Sequence, residues 1–348
     1  MYPLAAVRAV GSGMSERSAE STPRGSGPSI DPAWIRSPKQ AFTGVDAGRF
    51  AAGIHEGLPV KGGPKAGRAS SRGVGVVGLA DDLGVRLNGG RAGAGEGPSA
   101  IRAAPRTYGV REPMGWDWPT VFDAGDVSPA PGDDEAALRA THERVSGVVG
   151  EVLRKGLLPL GLGGGHDLTY ALVRPVAQAH PHLAGVYVDA HLDVRERAGS
   201  GMPFRRLIED CGVSELRLLG FNPLVNSREH VSWFQQHGGR FAPGPDTLEH
   251  DSVKEWAAAL IPSRPCFVSI DLDGIDSTHA PGVSALNPAG LMPKVVAAIA
   301  RAAGASKHVM CFDVMEMNPR FDVDGRTARL AAHLVLSFLR GVAERTAG

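Results

Sequence analysis

The 348-residue chain is long enough for one large or two ordinary domains. Its 37 basic residues balance its 37 acidic ones, so no excess charge recommends nucleic acid or an anionic membrane surface as a partner. No apolar run is long enough to cross a bilayer, and of the 3 cysteines, none in a C-x-x-C pair, Cys266 and Cys311 lie in apolar runs and read as buried hydrophobes of a reducing compartment.

Residues 1–40 are rich in Gly, Ser, Pro and Arg, and their apolar stretch is too broken for a secretory signal. A disordered leader is expected there. Residues 41–73 read as a short helical segment ending in a Gly/Ser/Arg-rich linker, and 74–348 as a single domain. In that domain the strand candidates are 74–79, 120–125, 157–162, 184–189, 215–220, 266–271 and 308–313. Helical patterns such as DDEAALRATHERVSGVVGEVLRKG and MPKVVAAIARAAG separate several of them, and TARLAAHLVLSFLRGVAERTAG closes the chain as a long amphipathic helix. Near-continuous apolar strands alternating with helices imply an α/β fold, with a parallel sheet covered on both faces.

Polar residues gather where these runs stop. His166 follows LPLGLGGG, Asp189, His191 and Asp193 follow GVYV, Asp271 and Asp273 follow CFVSI, and Glu316 follows FDVM. Open α/β sheets place their ligand crevice at the carboxyl ends of strands. Side chains two apart on an extended strand share a face, so Asp189, His191 and Asp193 are expected to point together, as are Asp271 and Asp273. Four carboxylates and two imidazoles converging on one point repel one another unless cations lie among them. Two divalent ions balance four aspartates, and carboxylate-rich sites with some imidazole suit Mn²⁺. Such ion pairs lower the pKa of shared water towards neutrality.

GGGHDLTYA, DAHLDVR, SIDLDGID and DVMEMNP resemble the four signature segments of the arginase–agmatinase–formimidoylglutamase group, the ureohydrolases. The resemblance implies a three-layer α/β/α, arginase-like fold with a mostly parallel central sheet and two Mn²⁺ per subunit. By motif, His166, Asp189, Asp193 and Asp271 resemble the ligands of one ion. Asp189, His191, Asp271 and Asp273 resemble those of the other, and Glu316 stands where the family grips the amidinium or guanidinium group. The segment GLADDLGVRLNGGRAGAGEGPSAIR, Gly165 before the metal histidine, Asp167 after it, GSGMPFRRL and the C-terminal signature point to the formimidoylglutamase branch. Ser200 stands where arginases and agmatinases carry a proton-shuttling histidine, while D-G-I-D is more agmatinase-like and Ser277 replaces its usual proline.

The resemblance therefore implies hydrolysis of N-formimidoyl-L-glutamate to L-glutamate and formamide, a step of histidine degradation. Asp273 would relay a proton to the leaving nitrogen. The substrate's two carboxylates call for arginines, with Arg91, Arg205 and Arg195 as candidates beside Asn88. Another ureohydrolase activity, releasing urea from agmatine, guanidinobutyrate or a related guanidino compound, stays open, and so does a non-catalytic paralogue. A cytoplasmic homo-oligomer, trimeric or hexameric, is what the family implies. His180, His182 and His333 read as solvated or packing residues, Trp116 and Trp118 as a loop cover or subunit contact, and Asp322 and Asp324 as a turn before the last helix.

Overall fold

Runs of Val, Leu, Ile and Phe with no polar face cannot line a half-exposed sheet, and here they are buried on both sides. The computed structural model describes residues 31–36, 73–107, 119, 121–244 and 252–345. Its strands are β1 (Ile35–Arg36), β2 (Val74–Leu79), β3 (Val121–Val127), β4 (Leu158–Gly163), β5 (Ala184–Val188), β6 (Glu215–Leu219), β7 (Gly239–Phe241), β8 (Cys266–Asp271) and β9 (Val309–Met315). They form one 9-stranded sheet in the order β1-β3-β2-β4-β9-β8-β5-β6-β7. Only the pairing of β1 with β3 is antiparallel. Every residue of β2, β4, β5 and β8 is buried, which explains their unbroken apolar character.

The helices are α1 (Leu83–Leu87), α2 (Gly97–Ala103), α3 (Glu135–Arg154), α4 (Leu168–Ala179), α5 (Pro203–Cys211), α6 (Arg228–Gln236), α7 (Ser252–Leu260), α8 (Pro293–Ala305) and α9 (Arg326–Glu344). Alternate strand residues feed two separate cores. Val76, Leu160, Val186 and Val268 meet Ile101 of α2, Ala257 of α7, Val296 of α8 and Val335 of α9. Val77, Tyr187, Phe267 and Cys311 meet Val149 of α3, Leu172 of α4, Phe204 of α5 and Phe234 of α6. This is a three-layer α/β/α architecture.

Local sequence sets the helix ends. Asp134 opens α3 by accepting the Ala137 N–H at 2.9 Å. Asp322 accepts from the Thr327 and Ala328 N–H groups at the start of α9, so this acidic turn serves the helix. Along α9, Ala328, Ala331, Val335, Phe338 and Val342 are buried at helical spacing.

The sequence pattern missed the two edges of the sheet, because β1 has 2 residues and β7 has 3, too few to show a period. The leader expected through residue 40 also needs correction. Ile35 and Arg36 pair with Val127 and Asp126, and Trp34 packs against the core. Residues 1–30 and 37–40 of the leader, the segment expected over 41–73 apart from Gly73, and Trp116 and Trp118 lie outside the described residues.

Candidate metal centre

Four adjacent strands, β4, β9, β8 and β5, end on one edge of the sheet and deliver all the polar clusters there. His166 lies just past β4, Glu316 directly follows β9, Asp271 ends β8, and Asp189 directly follows β5. The turn after β4 needs glycine, since a Cβ on Gly164 would stand 2.1 Å from the Leu79 carbonyl oxygen. That close approach brings His166 over the sheet edge.

The D-x-H and D-x-D pairs do not converge as extended strands. Asp189 Oδ1 accepts the His191 backbone N–H at 2.6 Å, and Asp271 Oδ1 accepts that of Asp273 at 2.7 Å. Each aspartate thus closes a tight turn that folds the next ligand back over the strand end. Asp193 and Glu316 hold left-handed backbone, with φ of 50° and 64°. Such conformations cost non-glycine residues on the order of 1–3 kcal/mol and collect at functional sites.

The side chains form two sets. Nδ1 of His166 is 2.9 Å from Asp193 Oδ2, 3.0 Å from Asp271 Oδ2 and 3.2 Å from Asp189 Oδ2. Nδ1 of His191 is 3.2 Å from Asp273 Oδ2 and 3.3 Å from Asp189 Oδ1. Each set offers ligand atoms within 4.8 Å of one another, His166, Asp189, Asp193 and Asp271 in the first and Asp189, His191 and Asp273 in the second. Asp189 alone belongs to both, one oxygen facing each imidazole. Asp271 joins the first set, and its Oδ1 accepts the Asp273 N–H just as Asp189 Oδ1 accepts that of His191.

These groups are short of partners as protein alone. His166 Nδ1, Asp189 Oδ2, Asp273 Oδ1 and Glu316 Oε2 are buried and hydrogen-bonded to nothing among the described residues. Burial, then the charges of Asp193 and Asp273, push Asp189 up to about 6. Burial, followed by Asp273 and Asp189, holds Asp271 well above the carboxylate range. Burial opposes a charged His191, yet Asp189 and Asp273 carry it to about 12; His166 is likewise driven well above 6.5 by its carboxylates. Without a cation the cluster can relieve its repulsion only by taking up protons. Two divalent cations do the same work and fit the donors present.

A supporting pair absent from the sequence reading fixes which nitrogen of His166 faces the centre. Ser269 Oγ donates to Asp313 Oδ1 at 2.5 Å. A hydroxyl has one proton, so Ser269 must accept from His166 Nε2–H, 3.1 Å away, leaving the Nδ1 lone pair for a cation. Thr169 Oγ1 donates to the other Asp313 oxygen at 3.0 Å. The available signal was a lone polar residue inside each of two apolar strands, Ser269 in CFVSID and Asp313 in VMCFDVM.

A crevice of about 310 Å³ opens above the centre, lined by His191, Asp193, Asp271, Asp273 and Glu316 below and by Asn88, Arg91, Arg195, Ser200 and Ser284 at its rim. Glu316 Oε1 accepts the His166 N–H at 2.9 Å, which leaves Oε2 for a ligand, and burial raises its carboxyl to about 8. A larger groove of about 430 Å³ on the outer face of α7, α8 and α9 contains one carboxylate, Glu344, paired with Arg301, and offers no comparable chemistry.

The candidate arginines separate here. Arg91 reaches the rim, its Nε donating to the Ser284 carbonyl at 3.0 Å and its guanidinium lying 3.9 Å over Phe321. Arg195 reaches it too, donating to Asn88 Oδ1. Arg205 does not. It is buried against Trp233 at 4.2 Å, donates to the Val194 carbonyl at 2.8 Å and pairs with Glu209 and Glu196, and it does not line the crevice. Its place among the substrate-binding candidates is withdrawn.

Paired cation sets sharing a carboxylate, at the carboxyl edge of a parallel sheet with helices on both faces, define a binuclear metal-dependent hydrolase. The chain belongs to the arginase family, whose model matches residues 72–340. It is 36% identical over 297 residues to a formimidoylglutamase of Aromatoleum aromaticum, covering 78% of this chain and 84% of that one. It is also 36% identical over 290 residues to that of Ralstonia nicotianae, covering 79% and 86%. Among solved structures, Trypanosoma cruzi formiminoglutamase with Mn²⁺ matches with a TM-score of 0.71 at 29% identity, over 81% of this chain and 97% of that one. Proclavaminate amidino hydrolase from Streptomyces clavuligerus matches with a TM-score of 0.67 at 30% identity, over 79% and 92%.

Proposed function

We propose that this protein is a manganese-dependent hydrolase that cleaves N-formimidoyl-L-glutamate to L-glutamate and formamide. The observation that carries the reading is a carboxylate–imidazole centre for two cations, beneath a rim that bears two guanidinium groups. Kinship with formimidoylglutamases over most of the chain supports the substrate.

His166, Asp189, Asp193 and Asp271 would hold one ion, and Asp189, His191 and Asp273 the other. Bound there, the ions supply water that ionises near neutral pH and positive charge against the developing oxyanion. The protein's own groups do the rest. Glu316 Oε2 accepts an N–H of the amidinium and holds its carbon over the centre. Asp273 Oδ1, unpartnered and buried, carries a proton to the departing glutamate nitrogen. The reaction balances with one water, whose oxygen becomes the carbonyl oxygen of formamide while the C–N bond to glutamate breaks. Arg91 and Arg195, with Asn88 beside them, meet the two carboxylates of the substrate.

Residues 74–348 act as one catalytic domain in this reading. Three free cysteines fit a cytoplasmic location. A homo-oligomer, as the family resemblance implies, would be detected by light scattering. Among the described residues no helix is long and apolar enough to cross a membrane.

The deciding experiment is a panel on manganese-loaded protein: formamide from N-formimidoyl-L-glutamate against urea from arginine, agmatine and guanidinobutyrate. Formamide is the expected product; urea with no formamide transfers the protein to a guanidino substrate.

A further inference from the structure

Three rim residues form a hydrogen-bond chain whose direction is fixed by chemistry. Arg195 carries only donors, so the atom of Asn88 that meets its Nη1 is the amide oxygen. The amide nitrogen of Asn88 therefore faces Ser200, 3.2 Å away, and Ser200 Oγ accepts. The Ser200 backbone N–H is spent on the Gly84 carbonyl at 2.9 Å, which pins the residue in place. Its hydroxyl proton has no acceptor among the described residues, although the side chain is nearly buried and lines the crevice.

We infer that Ser200 is a specificity-determining residue, a hydroxyl donor set by Asn88 and Arg195 to bind a carboxylate of the ligand. The inference rests on the proposed substrate class but concerns the rim, where the carboxylates sit, and not the reacting amidine. The floor of the crevice is built from carboxylates and one imidazole, while this side presents a guanidinium, an amide N–H and a free O–H. An acidic ligand group satisfies all three. Asn88 and Arg195 are positioning residues for the hydroxyl as well as neighbours of the ligand.

Two probes separate the rim from the floor. L-Glutamate carries the carboxylates, and formamidine carries only the amidine. Calorimetry on manganese-loaded protein should show Ser200→Ala weakening L-glutamate by about tenfold to a hundredfold, the loss expected for one hydrogen bond to a charged acceptor. Ser200→Thr should stay near wild type. Asn88→Asp should also weaken L-glutamate, because aspartate takes the Ser200 proton for itself. Formamidine affinity, manganese content and melting temperature should not change in Ser200→Ala. Wild type that fails to bind L-glutamate, a Ser200→Ala variant that binds it as wild type does, or equal losses for both probes would each overturn the inference. Failure of the substrate reading shows elsewhere, as absent formamide in wild type, and glutamate binding tests the rim whatever the turnover assay gives.

Discussion

Replacing Asp189 with asparagine should move the stability of the metal-free and metal-loaded protein in opposite directions. Asp189 is fully buried, belongs to both cation sets and stands 3.2 and 3.3 Å from the two imidazoles. In the metal-free protein, burial and the charges of Asp193 and Asp273 lift its pKa from 3.8 to about 6. At pH 8 that penalises the metal-free fold by on the order of 3 kcal/mol. Asparagine keeps the shape and the turn-closing oxygen but removes the charge, so the metal-free variant should melt several degrees above metal-free wild type. With cations present the sign reverses. Removing one partner of a buried charge pair costs about 3–5 kcal/mol, equivalent to a loss of metal affinity between roughly a hundredfold and a few thousandfold. Thermal melts at pH 8, with chelator and then with manganese, read both arms, and mass spectrometry after dialysis reads ion content. A metal-free variant less stable than its parent, or one holding two ions at wild-type affinity, would refute the reasoning.

Other consequences follow from the same geometry. Ser269→Ala strands the Nε2–H of His166 and a carboxylate oxygen of Asp313, and should lower manganese affinity by about 10–100-fold, with Ser269→Thr restoring much of it; unchanged metal titrations would remove the pair from the centre. Arg205→Ala should cost about 1–3 kcal/mol of stability, with KM unchanged in the folded fraction, since its partners are Trp233, Glu209 and the Val194 carbonyl. Arg91→Ala should instead raise KM with little loss of melting temperature, so the opposite pattern in the two variants would contradict the assignment. Metal-free protein should lose stability as pH rises from 6 to 8. His191, raised from 6.5 to about 12, and Glu316, raised from 4.5 to about 8, both bind more protons folded than unfolded in that window. Manganese should flatten the dependence; a metal-free melting temperature that climbs over this range would contradict it.

The residues of the centre were legible in the sequence because strand-end position and residue type are local. An aspartate after a buried apolar run has few bland explanations, and charge repulsion among several of them demands cations wherever they meet. The turn geometry was not legible. The spacing of Asp189, His191 and Asp193 fits an extended strand as well as a side-chain-closed turn, and the hydrogen bond from His191 N–H to Asp189 chose the turn. Arg205 and Arg91 look equally placed on paper, one beside Phe204 and one on the first βα loop. Only the packing of α5, which stacks Arg205 on Trp233, separates them.

Sequence by itself therefore determined the α/β class, the central strands and the acidic, imidazole-bearing character of their carboxyl ends, since each is written within a few consecutive residues. Tertiary structure decided that β4, β9, β8 and β5 are neighbours, that Ser269 and Asp313 support His166, and that Arg195, Asn88 and Ser200 form one chain across the rim. Those contacts join residues far apart in the chain, as Leu160 of β4 and Phe312 of β9 are. Crossover connections and side-chain packing set such neighbours, and no local periodicity records them.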